Sequence, residues 1–569
     1  MGTTLKRHVN DRNTPVARCS IGFTMVSMLL AVPAALRGDE PYVAELSALR
    51  PQQSKGADQN TFWVPAGETL TVAVYDADRI ELGENDSIET EILRVWYKMH
   101  ELAKRPVLNY GKEYHTPVMQ PALRQEQADP DKMFNFEGDP KKRQVRVVRY
   151  LCPTKWLKWF PEDQNWVGDQ GLKPKKRMWA VRMRCEKPGV QQLDVVPLVG
   201  GKRQEAIRLT LHVTAPVPPS DCGFGFYTDY GRYGYPEPKY QRMYFEHMRD
   251  NGCNTFTAYA GGGGGYGRRN TPIKDLDDAA HTVARQVDSA YEAGLLDKRF
   301  AVLVLAGPAG KVIIRARQVG KHSKDWPELI QYGSDEPPPT LAAGKSARAL
   351  TREMHEIGRQ EGIPMRTATA IGSGACFLFG DELDVWVVAN SVIEPLRARC
   401  ERDGNEWWMY NCRIQGTNPS LHRYWTGVWT WKNRPRVNLV WGYTHDAESK
   451  VLPDGTWNAK YLLEHALPTP EGPMSTAGLE GFRDGTVDYR ILRHLERLVE
   501  ENPENENAPA IAAWLQDLYD QAYPGTFWIG LPPLYWEINY KAGTVLGTVL
   551  PPVDCVKMRE QALKFIEQF

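Results

Sequence analysis

A change of rhythm part-way along the chain constrains its fold more than any other feature. From residue 223 onward, short apolar runs of strand length recur, and helical stretches separate most of them. The runs are Gly223–Tyr227, Thr255–Tyr259, Phe300–Leu305, Leu329–Tyr332, Met365–Ala370, Val385–Val388, Trp407–Tyr410 and Val437–Trp441. Parallel strands need crossover connections, so strands alternating with helices predict a parallel sheet. Eight such units over about 280 residues predict a (β/α)8 barrel. One crossover helix is expected from Ser346 to Glu361, with Gly362 as its stop. The stretch between Ala306 and Leu329 carries the weakest helical pattern.

Before the barrel the chain reads as β. Ile207, Leu209, Leu211 and Val213 alternate with Arg208, Thr210, His212 and Thr214, the period of a half-buried strand. Thr69–Tyr75, Ile88–Trp96, Val145–Leu151 and Met178–Met183 are further candidates, separated by Pro, Gly and Asp clusters. These predict an antiparallel β-sandwich over residues 36–217, ending in the linker Pro216-Val217-Pro218-Pro219. The barrel occupies 218–500, and terminal helices flank a Pro-rich, aromatic segment in 501–569. At the start, Lys6, Arg7, Arg12 and Arg18 precede the apolar run Ile21–Ala35, with small residues at Ala34 and Ala35. This is the pattern of a signal peptide over residues 1–35, and it predicts a secreted or periplasmic protein. No later segment is long and apolar enough to span a bilayer.

Lysines and arginines (70) balance aspartates and glutamates (70), which gives no support for nucleic acid or an anionic membrane as partner. The nine cysteines are sparse and form no CxxC pair, so neither a disulfide scaffold nor a zinc site is expected. Buried free thiols are the simpler expectation for most of them. No cofactor or metal is expected. The Gly261–Gly265 run and Gly307-Pro308-Ala309-Gly310-Lys311 both lack the spacing of a phosphate-binding loop. HExxH and GxSxG motifs are absent, which argues against zincin and α/β-hydrolase chemistry.

Chemistry points instead to two adjacent acids, Asp335 and Glu336, in Tyr332-Gly333-Ser334-Asp335-Glu336-Pro337. They leave the fourth barrel strand, and Pro337, Pro338 and Pro339 turn the chain away. The C-terminal ends of barrel strands are where such enzymes keep their catalytic groups. Paired carboxylates are also the usual requirement for breaking a glycosidic bond. A second pair, Asp381-Glu382, precedes the sixth strand and so belongs to the opposite end of the barrel, where residues serve stability. Tyr410, Asn411, Trp441, Tyr443 and Tyr227 stand at strand ends and are the candidate sugar contacts. Trp425, Trp429 and Trp431 follow on a helix and are assigned to the core.

Three stretches resemble the catalytic domain of glycoside hydrolase family 123 and the related domain DUF4091. They are Tyr332–Pro337, Trp407–Cys412 with Arg423-Tyr424, and Gly472-Pro473 with Gly481–Leu492. Phe62–Gly67 and the β-rich first half resemble that family's accessory sandwich. The resemblance implies release of terminal β-linked N-acetylgalactosamine by a substrate-assisted route. Glu336 would then be the general acid/base, and Asp335 would hold the 2-acetamido group. The partner this implies is a glycan substrate. Other outcomes are a non-catalytic glycan-binding protein, or a glycosidase for another sugar that pairs Glu336 with a remote acid such as Asp229 or Asp384. The basic residues Lys311, Arg315, Arg317, Lys321 and Lys324 raise a sulfated or acidic glycan as a substrate. Arg483, Asp484 and Asp488 are read as structural, with Asp484 capping a helix.

Overall fold

The computed structural model describes residues 41–48, 60–101, 134–136, 145–154, 166–168, 172–174, 178–228, 238–260, 275–305, 309–335, 337, 340–371, 382–389, 394–411, 419–444, 450–451, 457–458, 465–469, 472–522 and 553–569. The eight apolar runs are eight parallel strands: Gly223–Phe226, Thr257–Tyr259, Val302–Leu305, Leu329–Asp335, Thr367–Ile371, Val385–Ala389, Glu406–Asn411 and Val437–Val440. Strands two to eight lie side by side in chain order, and the eighth pairs with the first. A parallel bridge between Tyr227 and Thr257 closes the ring.

Alternation along each strand sorts the side chains. Leu303, Ile330, Ala368, Ala370, Val385, Val387, Trp408, Val437 and Leu439 fill the barrel interior. Val302, Val304, Trp386, Val388, Trp407 and Met409 pack outward against the helices. Both faces of these strands are therefore apolar, as a parallel sheet covered by helices requires.

Helices Pro238–Asp250, Leu276–Glu292, Ala309–Val319, Leu341–Gln360 and Glu394–Asp403 follow strands one, two, three, four and six. After strand seven come Pro419–Tyr424, a π turn over Trp425–Trp429, and Thr430–Asn433. Among the described residues no helix follows the fifth strand. The weakly patterned unit after strand three does contain a helix. The helix after strand four starts five residues before Ser346, because Thr340 accepts the Ala343 N–H and caps it there. Trp425, Trp429 and Trp431 are buried in the layer between barrel and helices.

Ahead of the barrel lie two sheets. One orders Tyr42–Glu45, Thr69–Tyr75, Trp179–Arg184, Glu89–Glu101 and Val145–Pro153 by antiparallel pairing. The other places Gly189–Val199 between Ile207–Thr214 and the short strands Lys202–Arg203 and Arg79–Leu82. Val72, Val74 and Val181 of the first sheet and Leu193, Leu209 and Leu211 of the second share one apolar core. The pairing is not wholly antiparallel. Thr61–Pro65 runs parallel to Ile207–Thr214, and Trp166–Gly168 parallel to Glu89–Glu101. Pro41–Phe569 make one compact unit; residues 1–35, expected to be a signal peptide, lie outside the described residues. Among the described residues no helix is long and apolar enough to cross a membrane. Cys152, Cys185, Cys222, Cys253, Cys400 and Cys555 are buried free thiols, while Cys376 and Cys412 lie outside the described residues.

The helix Ala477–Glu501 joins sheets and barrel. Its cap is Thr476, not Asp484, and Asp484 and Asp488 lie inside the helix, fully buried. Arg423 bonds Asp488 at 2.6 Å and Glu45 at 2.5 Å, and donates to the Cys555 carbonyl at 3.1 Å. Arg559 of the last helix also pairs with Asp488. About two turns before Asp488, Glu480 takes Arg182 of the first sheet at 2.6 Å, Arg483 at 2.6 Å and the Thr71 hydroxyl at 2.7 Å. Burial works against an ionised Glu480, but Arg182 and Arg483 outweigh it and hold the carboxyl at about 2. Arg483, Asp484 and Asp488 are thus structural, through ion pairs and hydrogen bonds rather than capping.

Candidate active site

Asp335 is the last residue of barrel strand four. Tyr332 lies opposite Ala368 of strand five and Asp335 opposite Ala370, so three residues advance against two. This is a β-bulge, and it changes parity. Ala368 and Ala370 both belong to the barrel interior. Regular pairing from Tyr332 would set Ser334 opposite Ala370; the shift sets Asp335 there instead. Glu336 lies outside the described residues, and Pro337 is buried.

Four rings surround this end of the interior. Tyr227 follows strand one, Tyr332 lies on strand four, Tyr410 on strand seven, and Trp441 just after strand eight. Ring centroids of Tyr227 stand 4.8 Å from Tyr410, 5.5 Å from Trp441 and 6.3 Å from Tyr332. Tyr410 and Trp441 meet edge to face at 6.3 Å. The three tyrosines are buried, whereas Trp441 is only partly covered. Asn411 ends strand seven opposite Val440. Tyr259 and Leu305, at the ends of strands two and three, complete the apolar wall.

Tyr443 is set apart from the other aromatic candidates. It is fully buried and packs in the outer layer against Phe226, at 5.3 Å, and Tyr244, at 6.0 Å. Its hydroxyl is bonded to His247 Nδ1, whose Nε2 lies 2.9 Å from the Ser475 hydroxyl. Gly442, with φ +76°, turns the chain so that Tyr443 falls behind the barrel wall. Tyr443 holds the loop and does not line the mouth.

Sequence reading missed Tyr332, Tyr259 and Gln286. The first two had a signal, since both end predicted strands. Gln286 had none, being one buried position of an ordinary amphipathic helix. Its amide carries the two bonds that a neighbouring strand would otherwise supply to Tyr259. Gln286 Oε1 accepts the Tyr259 N–H at 3.1 Å, and Nε2 donates to the Tyr259 carbonyl at 2.7 Å. It therefore fixes the end of strand two where the pairing with strand one has stopped.

The opposite end of the barrel is charged and structural. Asp384 bonds His355 at 2.7 Å and accepts the Thr367 N–H at 2.8 Å. Burial would raise its pKa, but these bonds prevail and hold it below the usual carboxylate range. Asp384 enters strand six and is thus excluded as a remote acid for the mouth. Glu382 pairs there with Arg352; Asp381 and Asp229 lie outside the described residues. Three of the five basic residues after strand three have partners of their own. Arg315 pairs with Asp277 at 2.6 Å, Lys321 with Glu292 at 2.7 Å, and Arg317 donates to the Pro327 carbonyl at 2.9 Å. Among the described residues no cluster of His, Cys, Asp and Glu is placed to hold a metal ion.

No protein-family model and no curated protein sequence matches the chain. Solved structures do. A family 123 glycoside hydrolase from Clostridium perfringens, analysed for glycolipid glycan hydrolysis, superposes with a TM-score of 0.52 at 12% identity, over 93% of this chain and 98% of its own. A Bacteroides ovatus GH5 xyloglucanase in complex with a XXXG heptasaccharide gives a TM-score of 0.30 at 10% identity, over 79% of this chain and 100% of its own. A family 39 glycoside hydrolase from Bacteroides cellulosilyticus gives 0.29 at 7% identity, over 75% and 82%. Through its sheets and its barrel alike, the chain has the fold of a family 123 glycoside hydrolase.

Proposed function

We propose that this protein is an exported glycosidase that releases terminal β-linked N-acetylhexosamine, N-acetylgalactosamine in the first instance. The observation that carries the proposal is the register shift that ends strand four on Asp335, at the same end of the barrel strands as the ring cluster of Tyr227, Tyr332, Tyr410 and Trp441. The two sheets are its accessory β-sandwich, and residues 1–35 its leader. A family 123 fold supports the same reading.

In this mechanism the substrate supplies the nucleophile. Its acetamide oxygen attacks the anomeric carbon as the bond to the leaving oxygen breaks, and Glu336 gives that oxygen its proton. Asp335, ionised, accepts the acetamide N–H and stabilises the positive oxazolinium. Glu336 then takes a proton from water as the water opens the ring with overall retention. Two neighbouring carboxyls suit this division, since one negative charge raises the pKa of the other acid. The partly covered indole of Trp441 offers an apolar face to the sugar, and Asn411 ends strand seven on the same rim. A sulfated glycan gains no support from Arg315 and Lys321, which are already ion-paired with Asp277 and Glu292.

Hydrolysis of an aryl β-N-acetylgalactosaminide tests the proposal. Glu336→Gln should lower kcat by about 10²–10⁴-fold. Asp335→Asn should damage acetamido substrates and spare any side activity on plain β-galactosides. If the wild type cleaves β-galactosides as well as the acetamido sugar, the assisted mechanism is wrong. Binding of glycan without turnover, unchanged by Glu336→Gln, would make the protein a glycan-binding module instead.

A further inference from the structure

Two histidines that take no part in this mechanism stand directly behind the mouth. His465 and His422 are buried, with their Nε2 atoms 2.8 Å apart. His465 Nδ1 lies 2.8 Å from the carbonyl oxygen of Gly442, the residue after Trp441. A carbonyl only accepts, so Nδ1 must carry a proton and donate it. In the neutral pair the remaining roles follow: His465 Nε2 presents a lone pair, and His422 Nε2–H donates to it. The imidazole of His465 is wedged against Phe226, at 4.9 Å, and His422 meets Phe482 at 6.5 Å. Rotation of either ring is blocked by packing.

The same histidine grips the loop by its backbone. The N–H groups of His465 and Ala466 both donate to the Tyr443 carbonyl at 3.0 Å, and the Tyr443 N–H donates to the Tyr227 carbonyl at 3.3 Å. Three consecutive residues, Trp441, Gly442 and Tyr443, are thereby held between His465 and the end of strand one. Trp441 is the member of that turn whose ring faces Tyr227 and Tyr410. Gly442 has no side chain of its own to fix the turn, and its left-handed φ leaves the peptide free to flip unless its carbonyl is tied.

We infer that His465, backed by His422, is a positioning residue that sets Trp441 in the barrel mouth through the Gly442 carbonyl. Its effect on turnover rests on the reading of that mouth as a sugar site; its hold on the loop does not.

Two substitutions separate the donor from the ring. Asn at 465 keeps an N–H donor near the place of Nδ1, whereas Phe keeps the ring and loses the donor. His465→Phe should lower kcat/KM on the aryl substrate about tenfold, chiefly through KM, while His465→Asn stays within about twofold. In a double-mutant cycle, His465→Phe should add little to Trp441→Ala, because both act through the same indole. Backbone hydrogen exchange over Gly442–Thr444 should quicken in His465→Phe and not in His465→Asn. Unchanged exchange in His465→Phe, or full additivity with Trp441→Ala in an active enzyme, overturns the inference. If wild-type protein hydrolyses no acetamido sugar, the functional reading fails while the exchange data still decide the grip on the loop. Should His465→Phe not fold, His422→Phe is measured in its place, with a smaller loss of the same kind expected and additivity again overturning it.

Discussion

His247 shows how a single buried side chain sets a pH limit. Burial is the main cause that lowers its pKa to about 3; Arg182 and Arg483 push the same way and Glu480 opposes them. The folded chain keeps this imidazole neutral between Tyr443 and Ser475, while the unfolded chain protonates it near 6.5. As pH falls, the unfolded state takes up the proton first, so this contribution is whole above about pH 6.5 and shrinks toward pH 3. His247→Gln should lower Tm at about pH 7 yet flatten its fall between about pH 7 and pH 5, as read by thermal melts. Parity explains what was and was not legible at this scale. Trp441 and Tyr443 are two residues apart and look equivalent in a strand, yet the turn at Gly442 sends the second behind the wall. Asp335 was legible as a strand end. The register shift that sets it opposite Ala370 was not, because nothing in Gly333-Ser334 distinguishes a bulge from a straight strand.

Elements were more legible than their contacts. All eight barrel strands stand where the apolar runs placed them, because both faces of each are buried and the signal is doubled. The crossing of Pro419–Asn433 with Ala477–Glu501 was not foreseen, although its sign, two glycines four residues apart, lay in the open. A Cβ on Gly481 would stand 2.1 Å from the Pro419 carbonyl oxygen, and one on Gly485 would stand 2.7 Å from that of Arg423. The backbones touch there, and the close approach lets Arg423 reach Asp488. Gly485→Ala should therefore destabilise by about 1–3 kcal/mol through overpacking. Alanine's better helix propensity, about 1 kcal/mol, works in the opposite direction and does not overcome a contact with backbone. Urea unfolding of the two proteins, with a lowered midpoint at unchanged slope, is the measurement.

At the scale of the whole molecule, the most specific of the resemblance motifs proves to be the joint. Gly481–Arg490 carries Arg483 to Thr71 and Asp484 to Ser47 on the side of the sheets, and Asp488 to Arg559 of the last helix and to Arg423, which in turn holds Glu45. Arg423→Ala leaves Glu45 and Asp488 short of a buried partner and should cost roughly 3–5 kcal/mol. Because the loss falls on both sides of the joint, sheets and barrel should still melt in one calorimetric transition, at a lower temperature. Two separate transitions in the wild type would show that the joint does not couple them. The sequence marked these residues as structural but not what they hold, since partners separated by 378 residues leave no local pattern. The joint also bears on how such proteins diversify. A barrel cut free near residue 217 would carry Arg423 and Arg483 into a core stripped of Glu45 and Thr71. Neither half is a cassette, and a new sheet domain would have to arrive with the matching acid already in place.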